Sequence, residues 1–195
     1  MKQKNKPEKT ILIHACCAPD AAVVIERLSD EYNILICFYN PNIHPQKEYT
    51  LRLDEMVRIA EDMNVELVDC EYDDKNWFKL IRGLETEPEK GLRCDVCFEI
   101  RLRKTAEIAR DKGIDVFTTV LTVSPHKNAQ KINQIGTKLG KEYGVQFLEA
   151  DFKKKDGFKR SIELSRQFGL YRQDYCGCLF SRQARQKHNN SETKS

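Results

Sequence analysis

The chain has 195 residues, 40% of them hydrophobic and 32% charged, with eight cysteines and a formal net charge of +3, the composition of a soluble globular protein. No apolar run approaches the roughly 18 residues that cross a bilayer, and the stretch behind the polar start "MKQKNKPEKT" is too short for a secretory signal. A cytoplasmic protein folded as one domain over 1–195 is expected, with 1–9 and 188–195 as flexible tails.

"TILIHA" (10–15) is a short apolar run rich in β-branched residues, and Asp20 to about Leu28 follows as a helix. A second uninterrupted apolar run covers 33–38, before a turn at Asn40 to Asn42. Such runs suit parallel strands covered on both faces. Leu51, Met56, Ile59 and Met63 recur at helical spacing within 48–63, and "VELVDC" (65–70) predicts a third strand. A weaker helix spans 73–82, followed by the polar, flexible stretch "GLETEPEKGLR". Residues 94–112 then predict a helix, 116–121 a strand, 128–141 a helix and 145–150 a strand, and the end of the chain is basic and partly helical. Strands alternating with helices at these intervals predict an α/β fold with a doubly wound parallel sheet and a basic helical C-terminal part.

Six of the eight cysteines fall in three local pairs: Cys16 with Cys17, Cys94 with Cys97, and Cys176 with Cys178. In a reducing compartment, clustered thiols point to metal or redox chemistry before disulfides, and adjacent cysteines bridge poorly. Cys16 and Cys17 follow the first strand, where open α/β sheets place their ligands, yet "HACCAPD" has no glycine with which to cradle a phosphate. Cys94 and Cys97 stand at the expected start of a helix, whose dipole favours thiolates, and Gly177 permits the tight backbone of "YCGC". Six thiolates exceed the four ligands of a zinc site or of a usual iron–sulfur cluster, so the surplus fits a second metal, with Asp20 as its oxygen ligand. Cys37, Cys70 and His14 read as core residues outside the site.

From Lys153 to Lys187 there are ten Lys or Arg against three Asp or Glu, a plausible footprint for a polyanion, in which Lys153, Lys154, Lys155, Lys159, Arg160, Arg182 and Arg185 are the candidate phosphate contacts. Tyr39, Phe98 and Tyr171 are candidates for stacking on bases. "SPHKN" ahead of a helix reads either as an anion site, with Ser124 as cap and Lys127 adding charge, or as an ordinary helix start; Arg101 and Arg103 share that ambiguity.

Taken in order, "HACCAPD", "FYNPNIHPQKEYTLR", "RCDVCFEIRL", "TTVLTVSPHKN", "FKKKDGFKRSIELS" and "LYRQDYCGC" resemble the cobalamin-independent epoxyqueuosine reductases, the QueH family, from about residue 11 to 183. The resemblance implies a fold like the adenine-nucleotide α-hydrolase group, and a 4Fe-4S cluster with a neighbouring mononuclear iron. It also implies reduction of epoxyqueuosine to queuosine at the wobble position of tRNA, served by an unidentified electron donor. The motifs do not fix which sulfur binds which iron; the partition adopted places Cys17, Cys94, Cys97 and Cys176 on the cluster and Cys16, Cys178 and Asp20 around the second iron, with Asp20, Tyr39 and Tyr175, which adjoin the motifs, as candidate proton donors. Three rivals remain: a zinc-stabilised nucleic-acid-binding module, a thiol-based tRNA sulfur transferase, which the missing glycine-rich loop disfavours, and a dithiol oxidoreductase.

Overall fold

The structure, a computed structural model, describes residues 7–68 and 70–192, with side chains described to 187. Its five strands are β1 (Thr10–His14), β2 (Asn33–Cys37), β3 (Glu66–Val68), β4 (Val116–Thr119) and β5 (Gln146–Phe147). They pair in parallel in the order β3-β2-β1-β4-β5, with Ile13 of β1 level with Ile36 of β2 and Thr118 of β4. The helices are α1 (Ala18–Leu28), α2 (Gln46–Asp62), α3 (Asp74–Leu80), α4 (Leu92–Asp111), α5 (Ala129–Tyr143), α6 (Gly157–Gln167) and α7 (Leu179–Glu192). β1 is central and flanked on both sides, which is why Ile11, Leu12 and Ile13 alternate with nothing polar and are wholly buried. Each such side chain contributes about 1.5–3 kcal/mol of burial.

α1 packs on α2 and α6, whereas α4 packs on α5 and crosses β1 and β4. The strand order runs outward from β1 to β3, then returns to β4 and β5 on the other side. This is the expected doubly wound sheet, and its switch point is the crevice beyond the carboxyl ends of β1 and β4.

The strands are shorter than the apolar runs that announced them. β4 stops at Thr119 because the chain turns into a 3-10 segment at Val120–Val123, with the Thr119 hydroxyl accepting from Leu121 N. β5 has two residues rather than six. The stretch 83–93, expected to be flexible, is tied down by Arg93, whose guanidinium donates to the carbonyls of Leu84, Glu85 and Glu87. α7 continues to Glu192, into the stretch expected as a tail; residues 1–6 and 193–195 of the two expected tails lie outside the described residues. Among the described residues no helix is long and apolar enough to cross a membrane.

Candidate metal centre at the switch point

Cys16 and Cys17 occupy the turn from β1 into α1, where extended Cys17 is the N-cap, Pro19 presets the first turn and Asp20 meets the positive end of the helix. Both cysteines and Asp20 are buried. Cys94 and Cys97 lie in the first two turns of α4, and Cys97, Arg101 and Thr105 follow at four-residue intervals on its buried face. Cys176 and Cys178 lie in the loop that leads into α7.

That loop is clamped. Gly177 sits at φ +115°, and its carbonyl accepts from His44 N at 2.8 Å. The buried Arg52 of α2 donates to the carbonyls of Cys176 (3.3 Å) and Tyr175 (3.2 Å), while its Nε bonds Glu48 at 2.8 Å. Its guanidinium also covers the Tyr175 ring.

Cys94, Cys97, Cys176 and Cys178 line one pocket of about 160 Å³, with Trp77, Phe98, Arg101 and Lys127. Cys16 and Cys17 do not line it but couple to it through two cations. Burial opposes charge on Arg101 and Lys127, yet both hold their protons above the usual range: Cys97, Cys16 and Cys176 act on Arg101, and Cys16, Asp20 and Cys176 on Lys127. All three pairs therefore share one electrostatic site. Among the described residues, no three His, Cys, Asp or Glu side chains are already drawn into a closed metal-binding group.

Within two of the pairs, charge and proton separate. The Cys17 S–H bonds to Cys16 and, with Lys127, Arg101 and Arg52, holds Cys16 low against burial; Cys17 is pushed up by that bond, by burial and by Asp20. Cys178 does the same for Cys176, which falls well below the usual thiol range while Cys178 rises. Burial lifts Cys94 and Cys97, although the Lys90 amide donates to the Cys94 sulfur at 3.2 Å. Burial, then Cys16, pushes the Asp20 carboxyl up to about 6. The donor set is thus six sulfurs and one carboxylate beside the buried Arg101 and the half-buried Lys127. Trp77 adds a buried indole N–H that makes no hydrogen bond of ordinary geometry among the described residues. Sulfur-rich ligands, compensating positive charge and an unsatisfied donor fit an iron–sulfur centre better than a hard-cation site.

The remaining candidates fall at varied distances from the thiols, and one expected cap is corrected. Tyr39 lines a separate groove between β3, α3 and α4, not the thiol pocket. Tyr175 donates its hydroxyl to His44 O at 2.7 Å, and burial with Glu48 pushes its phenol up to about 12. Both were selected by nearness in sequence, which does not report where a ring points. Ser124 is not the cap of α5: Asn128 is, accepting from Lys131 N, and Ser124 Oγ accepts from His126 N instead. Arg103 lies in surface ion pairs with Glu99 and Glu142, whereas Arg101 belongs to the site. Phe98 lines the pocket, but Tyr171 is engaged with Glu48.

None of the seven candidate phosphate contacts lines the thiol pocket. Lys153 pairs with Asp151, Arg160 with Glu26 and Glu163, and Arg185 approaches Asp174 at 3.9 Å; Lys154, Lys155 and Lys159 are exposed. His14 is a satisfied core residue between Thr119 Oγ1 (2.9 Å) and Tyr39 O (3.3 Å). Cys37 is buried, Cys70 only half so, and their sulfurs lie 3.6 Å apart outside the pocket.

The family model for the epoxyqueuosine reductase QueH matches residues 11–184. The chain belongs to the QueH family. It is 41% identical to the epoxyqueuosine reductase QueH of Acinetobacter baylyi over 175 residues, covering 88% of this chain and 79% of that one. With the Staphylococcus epidermidis QueH it shares 42% over 187 residues (92% and 79%), and with that of Thermotoga maritima 36% over 183 residues (92% and 94%). These relatives make it an oxidoreductase. Among solved structures, the U34-tRNA thiolase NcsA from Methanococcus maripaludis with its [4Fe-4S] cluster superposes with a TM-score of 0.59 at 15% identity, covering 90% of this chain and 62% of that longer one. At that identity the likeness is one of fold, as the QueH motifs implied.

Proposed function

We propose that this chain reduces the epoxide of epoxyqueuosine in tRNA to the alkene of queuosine, taking two electrons and two protons and releasing the oxygen as water. Cys17, Cys94, Cys97 and Cys176 would hold a 4Fe-4S cluster, and Cys16, Cys178 and Asp20 an additional mononuclear iron. When bound, the cluster supplies electrons singly from a donor protein or small molecule, and the second iron supplies a Lewis acid.

The remaining chemistry falls to this chain's own residues. The Lys127 ammonium and Arg101 guanidinium face the pocket from the α5 and α4 sides, where they stabilise negative charge developing on the departing oxygen. With Tyr39 turned away and Tyr175 bonded to a carbonyl, Lys127 is the protonated side chain nearest in role to a proton donor. Burial of Cys16, Cys17, Cys97 and Cys178 limits the access of water to the centre. The modified base has to leave its stack to enter, as bases read by proteins in single-stranded RNA do. Lys153, Lys154, Lys155, Lys159, Arg160, Arg182 and Arg185 stay the proposed outer phosphate contacts.

The observation that carries the reading is the convergence of thiol pairs from residues 16–17, 94–97 and 176–178 on the buried Arg101 and the half-buried Lys127 at the sheet's switch point. The test is anaerobic reconstitution, iron and acid-labile sulfide analysis, and incubation of the reduced protein with tRNA carrying epoxyqueuosine. The expected result is iron in excess of sulfide and a nucleoside lighter by one oxygen. A protein loaded with iron and sulfide that leaves the epoxide intact would overturn it.

A further inference from the structure

Trp77 belongs to a small core of its own, built with Ile81, Cys97 and Cys178 and standing apart from the main core between the sheet and its helices. It comes from the seven-residue α3, which Asp73 caps by accepting from Asn76 N. The indole is 1% exposed and fixed by rings on three sides: His44 at 5.2 Å, Phe78 at 5.0 Å and Phe180 at 6.1 Å. Those are ring-on-ring packing contacts, which a ring without a nitrogen would serve as well. The Nε1–H nevertheless lies fully buried with no hydrogen bond of ordinary geometry, an arrangement that native cores rarely tolerate without a use. The same side chain lines the thiol pocket and packs against Cys97.

We propose that the indole N–H of Trp77 is a positioning group of the reductive centre, donating to the sulfur that Cys97 presents to the metal and thereby raising the centre's reduction potential. This rests on the cluster reading above. Hydrogen bonds to cluster sulfurs stabilise the more negative, reduced form, and the effect is large where water is excluded. Arg101 acts in the same direction by charge and is held beside Cys97 by a bond of its Nε to the Cys97 carbonyl at 2.9 Å. Trp77 would differ from it in being neutral, so its contribution survives high salt and any change of protonation.

Trp77 is the chain's one tryptophan, so replacing it by benzothienylalanine, which substitutes sulfur for the N–H and keeps the ring's shape, alters no other site. The experiment compares the reconstituted wild-type protein, the analogue-bearing protein and Trp77→Phe by potentiometric titration followed by electron paramagnetic resonance. The analogue is expected to keep wild-type iron and sulfide, with the reduced-to-oxidised ratio at a fixed potential falling about tenfold, equivalent to roughly 59 mV for one electron. Trp77→Phe should shift the same way. Coincident midpoint potentials in cluster-bearing wild-type and analogue proteins would overturn the role of Trp77 and leave the cluster reading standing. A wild-type protein that takes up no acid-labile sulfide would overturn both.

Discussion

Replacing Gly177 by alanine tests whether the "YCGC" loop is built around a position closed to side chains. At φ +115° an L residue is strained by about 1–3 kcal/mol. A methyl group there would also lie 2.9 Å from Cγ1 of the wholly buried Ile43 and 3.3 Å from Nη1 of Arg52, so the loop must move or the core must yield. Overpacking of that kind costs about 1–3 kcal/mol more. The sum, about 2–6 kcal/mol, lowers the melting temperature of a chain of this size by roughly 4–24 °C. Gly113→Ala is the matched control, because Gly113 also has positive φ (+66°) but nothing lies within 4 Å of the added carbon. Thermal unfolding of the metal-free proteins by circular dichroism should place Gly177→Ala well below Gly113→Ala, and iron uptake should fall in the former alone. If the two variants melt together, the close approach to Ile43 and Arg52 is not what demands glycine.

Arg52→Met strands Glu48 and two loop carbonyls, and loss of one partner from such a buried charged network costs about 3–5 kcal/mol; the Cys176 thiol should react faster with an aromatic disulfide, and Arg52→Lys should not restore protection because it lacks the planar fork. Lys127→Met should keep its iron while turnover falls by about 10²–10³, as when an oxyanion-stabilising group is removed; wild-type turnover would exclude that role. His14 is held neutral by burial, its pKa well below the usual value, so the unfolded chain binds the extra proton on acidification. Its contribution is complete above about pH 6.5 and is lost below it at roughly 1.4 kcal/mol per pH unit, a slope that chemical denaturation of metal-free His14→Gln should lack. Neutralising Lys154, Lys155, Lys159, Arg182 and Arg185 should flatten the salt dependence of tRNA binding by roughly 0.7–0.9 in log–log slope for each true phosphate contact; an unchanged slope would take the basic segment off the RNA.

The central sheet was legible because β1 and β2 are uninterrupted apolar runs, a pattern that strands buried on both faces require. β5 was overread: only Gln146 and Phe147 pair in register with β4 at the sheet's edge, Leu148 N adding one bond to Phe117 O, while Val145, Phe147 and Leu148 pack into the core. The three cysteine pairs stood out by spacing, since donors close along the chain reach one centre at little cost in chain entropy. Tyr39 and Tyr175 were chosen by adjacency in sequence, which carries no side-chain direction; one lines a separate groove and the other bonds the His44 carbonyl. Arg52 and Trp77 were missed for the opposite reason. Arg52 falls within an amphipathic helix pattern as one more charged residue, and only the burial of its guanidinium against a loop more than a hundred residues away sets it apart. Trp77 reads as core, which it is; its orphaned nitrogen is a fact of three-dimensional placement. The buried polar position of Arg101, four residues after Cys97 on the same helix face, was the one signal available in advance.

The separateness of the small core around Trp77 has a mechanical consequence. α7 and the loop before it are seated on Ile81, Cys97 and Cys178 and on the Arg52 clamp, while the large core lies elsewhere. A metal gripping sulfurs from both ends of the chain would act there as a rivet, and its removal by a chelator should be felt first as fraying of this C-terminal flap, in amide exchange, long before the sheet lets go.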